Sequence, residues 1–299
     1  MKIIVTGKGG QLAWELEQTK PDHVELISLG IDELDITNAA QVNEALVSHS
    51  PDVVINAAAY TAVDKAETDT EAAYAVNQHG SENLAQACQA IEARLVHVST
   101  DFVFDGTKTT PYQPDDQSNP INVYGDSKLQ GDLKVAEILG GQATIIRTAW
   151  VYSANGNNFV KTMLRLMAEK EQLGIVYDQV GTPTWAKGLA KMIWQLVVVQ
   201  GTKGKVQGEQ AEVLHWTDAG VASWYDFAVA IQELALEKGM LNKAIPIRPI
   251  PASAYPTPAK RPSFSVIDKN TAEQASGTET THWRKQLSAM LDELAAMTK

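Results

Sequence analysis

The sequence contains little cysteine, and that shortage limits the chemistry available to it. Its 299 residues include one cysteine, Cys88, so an intramolecular disulfide and a cluster of thiolate metal ligands are both excluded. Cys88 lies in a helix-like stretch, where a lone cysteine usually serves as a small buried apolar residue. This usage fits a reducing compartment, and we expect a cytoplasmic protein.

Long apolar runs are missing as well. The apolar stretch at residues 1–5 is too short for a signal peptide, and the run at residues 192–199 is interrupted by Gln195. That run falls far short of the roughly 20 apolar residues that a membrane-spanning helix needs. We therefore expect no targeting segment and no membrane partner.

Positive charge is also in short supply. The 25 lysines and arginines are outnumbered by 36 acidic residues, which gives a net charge of −11. The sequence has no basic stripe that could displace counterions from phosphates, so we expect no nucleic acid as a partner.

In the first half, short apolar runs alternate with helix-like stretches. Short buried strands separated by helices indicate an α/β fold with a doubly wound, parallel, Rossmann-like sheet. The predicted strands are residues 2–6, 24–29, 52–58, 94–99 and 143–148, and the predicted helices are residues 11–18, 39–48, 66–90 (with an interruption near Gly80) and 123–139.

After residue 150 the alternation loosens, and helix-like stretches occur at residues 159–171, 184–199, 223–238 and 282–297. We predict a dinucleotide-binding domain over residues 1–150, to which some later segments return. Residues 151–299 would form mainly a smaller, mixed α/β substrate-binding domain. Residues 245–262 contain six prolines and cannot form a continuous helix. This segment is either a surface linker or a cover over the substrate, and we favour the cover because Arg261 lies among prolines and an aromatic residue.

A glycine-rich loop directly follows the first strand and opens a helix. Its pattern is Gly7-x-x-Gly10-x-x-Ala13, with a small alanine in place of a third glycine. Glycines at such a turn let the backbone approach a diphosphate, and the helix N-terminus offers unpaired N–H groups. We therefore predict NADPH or NADH as the cofactor, held by Gly7, Gly10, Gln11 and Leu12.

The end of the second strand bears on the choice between these two cofactors. Folds that prefer NAD place a carboxylate there, whereas this chain has Gly30, with Asp32 two residues later. Lys8 either meets a 2′-phosphate or is simply solvated, and we favour NADPH, with NADH also accepted. Asp35 and Ile36 are further candidate cofactor contacts, although Asp35 could instead cap the next helix.

The catalytic candidates are Tyr124, Lys128 and Thr100. Tyr124 and Lys128 are spaced i and i+4 on a predicted helix and share one face, so the ammonium is expected to lower the pKa of the phenol. Thr100 follows the fourth strand, at the carboxyl end where open sheets bind ligands, and can polarise a carbonyl group. The alternative for Thr100 is a helix cap or a turn residue.

These motifs, in this order, resemble those of the extended short-chain dehydrogenase/reductase family, whose members act largely on nucleotide-linked sugars. The resemblance is narrower still to a subgroup that reduces a dTDP-linked 4-keto sugar, and it extends from one end of the chain to the other. The matching stretches are residues 56–67 (NAAAYTAVDKAE), 99–106 (STDFVFDG), 122–128 (NVYGDSK), 147–152 (RTAWVY), 156–166 (GNNFVKTMLRL) and 255–262 (YPTPAKRP).

The resemblance implies roles for individual residues. Tyr124 would protonate the C4 oxygen of the sugar while NAD(P)H delivers hydride to C4, with Lys128 tuning Tyr124 and Thr100 steadying the carbonyl. The further implied contacts are Thr100, Asp101 and Trp150 at the sugar, Arg261 at the diphosphate, and Ala59, Tyr60, Thr61, Tyr124 and Lys128 at the cofactor. Lys128 can hydrogen-bond the nicotinamide ribose. Trp150 could otherwise be a core aromatic residue.

One departure concerns assembly. Some relatives are dimers bridged by a metal ion on glutamates, and this chain keeps Glu15. However, Lys187 and Arg284 stand where we align the other two ligands, and cations cannot hold Mg²⁺. We therefore predict no bridging metal, and we leave open whether the chain forms a homodimer.

The alternatives are a dehydratase or an epimerase within the family and a regulatory subunit outside it. A dehydratase commonly has Asp-Glu after the threonine, whereas here Phe102 follows Asp101, which disfavours dehydration. A nucleotide-sugar 4-epimerase is disfavoured less, because it can use the same triad. A non-catalytic regulatory subunit, such as the one that accompanies a methionine adenosyltransferase, need not keep Thr100, Tyr124 and Lys128.

Overall fold

The computed structural model describes residues 1–201 and 208–297. In its first 150 residues, strands and helices alternate as predicted. The strands are β1 (Lys2–Thr6), β2 (Glu25–Leu29), β3 (Val53–Asn56), β4 (Arg94–Thr100) and β5 (Ala143–Thr148). The helices are α1 (Gln11–Gln18), α2 (Ala39–His49), α3 (Val63–Ala66), α4 (Thr70–Tyr74), α5 (Gly80–Ala90) and α6 (Val123–Leu139).

The second half has longer helices and short strands. The helices are α7 (Phe159–Glu169), α8 (Ala186–Gln200), α9 (Trp224–Glu237), α10 (Asn270–Ser276) and α11 (Trp283–Met297). The strands are β6 (Val151–Tyr152), β7 (Leu173–Val176), β8 (Val180–Gly181), β9 (Thr184–Trp185), β10 (Glu212–His215), β11 (Ala222–Ser223) and β12 (Ile247–Ile250). Within residues 1–201 and 208–297, no helix combines the length and the apolar character needed to cross a bilayer.

In the described part of the chain, six parallel strands form the central sheet in the order β2-β1-β3-β4-β5-β10. From β1 the chain first adds β2 on one side, and it then adds β3, β4, β5 and β10 on the other side. The winding therefore reverses between β1 and β3. Open sheets bind ligands at the carboxyl ends of the strands that flank such a reversal. The predicted doubly wound sheet is thus confirmed. Its last strand, β10, was not predicted and comes from the second half of the chain.

Helices cover both faces of this sheet. Apolar side chains of α1 and α8 pack on one face, and those of α2, α5 and α6 pack on the other. A separate apolar core joins α7, α9 and α11 beside the sheet. The second half therefore contributes the strand β10 to the sheet and the helix α8 to one of its faces, and it also forms this additional core.

The proline-rich segment is attached to the rest of the structure at several points. Its β12 pairs in parallel with β7, from Ile247 opposite Leu173 to Ile250 opposite Val176. Further along, Arg261 contacts α3 through Asp64. The segment is therefore fixed to the rest of the structure through β7 and α3, and it is not a detached surface linker.

The predicted helix over residues 66–90 is interrupted before Gly80. A π-helical turn, Ala75–His79, separates α4 from α5 and carries the buried Asn77. Helix α6 packs against this turn so closely that a Cβ on Gly131 would lie 2.2 Å from the Asn77 carbonyl oxygen. A glycine at position 131 is therefore what allows α6 to sit at this depth.

This contact yields a first prediction. Gly131→Ala should lower the free energy of unfolding by about 1–3 kcal/mol, because the added methyl group overpacks against backbone. Gly188→Ala is a matched control within α8, since its Cβ would meet the flexible end of Gln286 at 2.9 Å. Urea denaturation measures both, and we expect Gly188→Ala to be neutral or stabilising because alanine favours helix. Equal effects of the two changes would contradict the packing argument.

Candidate active site

The glycine loop makes the turn from β1 into α1. Gly7 has a positive φ of 77°, and a Cβ on it would lie 2.8 Å from the Ala57 carbonyl oxygen at the end of β3. Gly10 donates its N–H to Gly7 O at 3.0 Å, and α1 begins at Gln11 without a side-chain cap. The loop thus lies at the winding reversal, with the N–H groups of α1 available to an anion.

A cleft of about 290 Å³ opens at the carboxyl ends of β3, β4 and β5. It brings together most of the predicted site residues. Those that line it are Gln11, Leu12, Ala59, Thr61, Thr100, Asp101, Tyr124, Lys128 and Trp150.

Thr100 is a capping residue and also a residue of the cleft. Its side chain caps a short 3₁₀ turn, accepting from the Phe102 N–H at 3.2 Å, and it also lines the cleft. The hydroxyl donates to Asp101 Oδ1 at 3.2 Å. Asp101 is buried, and this burial raises the pKa of its carboxyl to about 6, although hydrogen bonds from Ser265 and Thr100 oppose the shift.

Tyr124 lies in the first turn of α6, which Asn122 caps by accepting from the Gly125 N–H at 2.7 Å. Its ring contacts Phe102 edge-on, with 5.5 Å between centroids. Burial raises the pKa of Tyr124 to about 12, while a hydrogen bond with Thr100 opposes the shift. The expected lowering of this pKa by Lys128 is therefore wrong, because burial of the phenol dominates.

Lys128 is 2% exposed, and its Nζ donates to the Val98 carbonyl oxygen at 2.7 Å. This bond directs the ammonium to the end of β4, beside the cleft. Burial lowers the pKa of Lys128 to about 8, and the negative charge of Asp132 opposes that change.

Trp150 is both a cleft residue and part of a packed aromatic group. Its φ of 47° is unusual for a bulky side chain and marks a strained backbone. Its ring stacks on Trp224 with 3.6 Å between centroids, and a Cβ on Gly181 would approach it to 2.8 Å. Packing against these neighbours holds the strained residue with one side facing the cleft.

Among the predicted cofactor contacts, Tyr60 does not line the cleft in the described structure. Its N–H donates to Asn77 Oδ1 at 2.9 Å and its hydroxyl to Asp69 at 3.1 Å. Tyr60 therefore anchors the loop that presents Ala59 and Thr61 to the cleft.

The region after β2 differs from expectation. Lys8 is ion-paired with Glu33 at 2.9 Å, and Glu33 also accepts from the Gly30 N–H at 2.9 Å, so Lys8 has a specific partner. Asp35 does not cap α2, because its carboxylate accepts from the N–H and hydroxyl of Thr37, and Asn38 is the cap.

The side chain of Ile36 is buried in the apolar core, where a Cβ on Gly80 would approach it to 2.7 Å. It packs there with α2 and α5, and it is not among the described residues that line the cleft.

Arg261 is likewise outside the lining of the cleft in the described structure. Its guanidinium makes a two-point contact with Asp64, at 3.0 Å and 2.8 Å, and it also contacts Thr257 and the Ala259 carbonyl oxygen. Asp64 belongs to the same motif as Ala59 and Thr61, a link that no local sequence signal reveals.

Glu15 is fully buried and accepts from Ser153 Oγ at 2.8 Å and from Trp185 Nε1 at 3.1 Å. Lys187 forms an ion pair with Glu293, and Arg284 forms one with Glu233. Over residues 1–201 and 208–297, no group of three His, Cys, Asp or Glu side chains is arranged to hold a metal. The expectation that no metal bridges two copies stays a prediction.

Sequence reasoning missed Thr148, whose hydroxyl is buried at the end of β5, lines the cleft and lacks a hydrogen-bond partner among the described residues. Its position at the carboxyl end of a parallel strand was the available signal. His97, Asp132 and Arg147 were also missed. They form a buried cluster behind Lys128, and nothing in the sequence marks them as neighbours.

Comparisons with known proteins agree along the whole chain. Residues 1–296 match the family model described as the RmlD substrate binding domain. A dTDP-4-dehydrorhamnose reductase of Burkholderia thailandensis is 43% identical over 286 residues, covering 95% of this chain and 96% of that protein.

Two solved structures are similar throughout. A dTDP-4-dehydrorhamnose reductase from Clostridium acetobutylicum has a TM-score of 0.89 and 40% identity, covering 99% of this chain and 100% of that one. Another from Bacillus anthracis, in complex with NADP, has a TM-score of 0.87 and 33% identity, covering 98% of this chain and 99% of that one.

The contact between Arg261 and Asp64 leads to a second prediction. Arg261→Gln and Asp64→Asn should each lower the free energy of unfolding by about 0.5–1 kcal/mol, because the pair is partly exposed. The double variant should be at least as stable as the less stable of the two single variants, because both substitutions remove the same interaction. Urea denaturation measures this coupling. If Arg261→Gln lost affinity for a nucleoside diphosphate by calorimetry and showed no coupling to Asp64, Arg261 would be a ligand contact instead.

Proposed function

The chain belongs to the family described as the RmlD substrate binding domain, and we propose that it is an NAD(P)H-dependent dTDP-4-dehydrorhamnose reductase. It would reduce the C4 keto group of dTDP-4-dehydro-L-rhamnose to give dTDP-L-rhamnose. The observation that carries the proposal is the cleft in which Thr100, Tyr124 and Lys128 meet at the end of β4. The identity shared with reductases along nearly the whole chain supports the same activity.

The residues around the glycine loop fit a dinucleotide. A Cβ at Gly7 would collide with the backbone of Ala57, and its φ is positive, so only a glycine permits the tight turn after β1 that brings the loop backbone to a diphosphate. Gly7, Gly10, Gln11 and Leu12 would hold that diphosphate. When bound, NADPH or NADH supplies the hydride for the reduction.

Tyr124 would supply the proton. Because its pKa is raised to about 12, its hydroxyl stays protonated through the neutral range and can donate from Oη to the C4 oxygen of the sugar. The Thr100 hydroxyl lies in the same part of the cleft and can turn its proton toward the same oxygen. Both groups stabilise the negative charge that develops as the carbonyl is reduced.

Other cleft residues would position the sugar. Asp101 offers a buried carboxyl next to Thr100, and Trp150 offers a flat apolar surface fixed by Trp224. Arg261 holds the proline-rich segment to α3 through Asp64, so its contribution to the substrate would be indirect.

We further infer that the enzyme acts in the cytoplasm without a membrane or nucleic acid partner, and that a homodimer, if formed, has no bridging metal. The buried free thiol of Cys88 and the net charge of −11 support the first two points. The ammonium of Lys187, whose charge acts on Glu15, supports the third because it repels a cation.

The decisive experiment follows the absorbance of NADPH and NADH with dTDP-4-dehydro-L-rhamnose, which is generated in situ because it is labile. Consumption of either cofactor with dTDP-L-rhamnose as the product is the expected result. Binding of the cofactor without its consumption would overturn the proposal and favour another sugar substrate or a regulatory subunit.

Tyr124→Phe provides a third prediction. Turnover should fall by about 10²–10⁴-fold, because the general acid is lost while the ring remains. The Kd of NADPH, measured by fluorescence, should stay within about twofold, since the cofactor keeps its other contacts. Turnover close to that of the parent would contradict the role of Tyr124.

The ion pair between Lys8 and Glu33 generates a fourth prediction. Lys8→Gln should weaken NADPH binding by about tenfold and leave NADH nearly unchanged, because a charged contact to the 2′-phosphate is lost. Glu33→Gln should act in the opposite direction, since it removes a carboxylate that repels that phosphate. Fluorescence titration without substrate measures both, with Lys134→Gln from the exposed pair with Glu137 as control. Equal changes for the two cofactors would contradict this assignment.

A further inference from the structure

A chain of buried polar side chains runs across the sheet beneath the cleft. Thr6 at the end of β1 donates to Asn56 Oδ1 at 2.7 Å, and Asn56 Nδ2 lies 3.1 Å from His97 Nδ1 on β4. His97 Nε2 then lies 3.4 Å from Asp132 Oδ1 on α6. Each of these residues is at most 3% exposed. The chain therefore joins the strand that leads into the glycine loop to the helix that carries Tyr124 and Lys128.

The hydrogen bonds fix the direction of this chain. Asn56 Oδ1 accepts from both the Thr6 hydroxyl and the Ala58 N–H, so Nδ2 must be the atom that faces His97. His97 Nδ1 is then an acceptor, and a neutral imidazole carries its proton on Nε2. Nε2 lies 3.4 Å from Asp132 Oδ1, close to the carboxylate but outside hydrogen-bond geometry. Burial is the main cause that lowers the pKa of His97, and the positive charge of Lys128 lowers it further. A lowered pKa agrees with a neutral imidazole.

Asp132 is held from other directions as well. Ser99 Oγ donates to its Oδ2 at 2.8 Å, and Arg147 Nε lies 3.4 Å from the same oxygen. Burial would raise the pKa of Asp132, but the contacts with His97, Arg147 and Lys128 outweigh it and hold the pKa below its usual value. Asp132 is therefore a buried carboxylate at a fixed position.

Asp132 follows Lys128 by four residues, so the two side chains share one face of α6. Lys128 is 2% exposed and its Nζ is bonded to the Val98 carbonyl oxygen, which carries no full charge. The other titratable or charged groups around it are Tyr124 on α6, His97 on β4, Arg147 on β5 and Asp101 on the turn after β4. Of these, Arg147 is a cation, His97 is neutral and Tyr124 keeps its proton. The charge of Asp101 acts on Tyr124, whereas the negative charge that acts on Lys128 is that of Asp132.

We propose that Asp132 is a positioning residue of the active site, which keeps the Lys128 ammonium charged and is itself held by Ser99 and Arg147. This inference rests on the proposed reductase function for its consequence in catalysis, although the charge of Lys128 can be measured without turnover. Asp132 would thus support the site formed by Thr100, Tyr124 and Lys128 without touching the substrate itself.

The test measures the titration of Lys128 directly. Protein labelled with ¹³C at the lysine ε-carbon is titrated by NMR without substrate, and the Lys128 signal is assigned with Lys128→Met. In the parent protein the midpoint should lie near pH 8, as burial of this lysine dictates. In Asp132→Asn it should fall by about one pH unit or more, because an opposite charge is lost from a buried site. Asp132→Glu keeps the charge and should restore most of the parent midpoint.

The same variants are then assayed for reduction across pH. The loss of kcat on the alkaline side should move to lower pH in Asp132→Asn, in step with the lysine midpoint, and Asp132→Glu should return it toward the parent. A uniform fall of kcat at every pH with an unchanged lysine midpoint would overturn the proposal and leave Asp132 a purely structural residue. If the parent reduced no substrate but the midpoints shifted as stated, only the proposed function would fail.

Asp132→Asn leaves Arg147 as an uncompensated buried charge and could fail to fold for that reason alone. The double variant Asp132→Asn/Arg147→Met removes both members of the pair and avoids this cost. Its lysine midpoint should lie below that of Arg147→Met alone, which has lost the same nearby cation, whereas equal midpoints in these two variants would overturn the proposal. Asp218→Asn, a buried carboxyl packed near Trp185 and Gln286, is the matched control and should not move the midpoint.

Discussion

The active site depends on how closely α6 packs against its neighbours. A Cβ at Gly125 or at Gly131 would lie 2.2 Å from a backbone carbonyl oxygen, that of Phe102 or of Asn77 respectively. The first contact presses the start of α6 onto the turn after β4, which places Tyr124 beside Thr100. The second seats the helix on the π-helical turn that holds Tyr60. Close packing of one helix thus sets the geometry of both the proton donor and the cofactor loop.

This depth has an electrostatic cost. Lys128 and Asp132 lie on the buried face of α6, where an isolated charge is unfavourable by several kcal/mol. Hydrogen bonds offset this cost: Asp132 accepts from Ser99 and Arg147, with His97 Nε2 3.4 Å away, and Lys128 donates to the Val98 carbonyl oxygen. The parallel strands β4 and β5 supply these partners, through the side chains of Ser99, His97 and Arg147 and through the backbone carbonyl of Val98.

Sequence patterns predicted the strands and helices of the first half because parallel strands buried on both faces are continuous apolar runs. They also predicted Thr100, Tyr124 and Lys128, whose types and order are informative. The pattern missed β10, a strand of four residues that joins the sheet next to β5. It also missed the neighbours of His97, because both are distant in sequence. The register of β3 on β4 brings Asn56 beside His97, and the packing of α6 on the sheet brings Asp132 there.

Residues within one recognisable motif need not share one role. In the stretch from Ser99 to Gly106, Thr100 lines the cleft, whereas Asp105 accepts from Thr107, Tyr112 and Asn119 and has its pKa held well below the usual range, first by the Thr107 N–H. Arg261 gives the same lesson, since its strongest partner is Asp64 rather than the cleft. A family motif therefore marks residues that the structure of the active site requires. Only the contacts of each residue show whether it lines the cleft or supports the segments around the cleft.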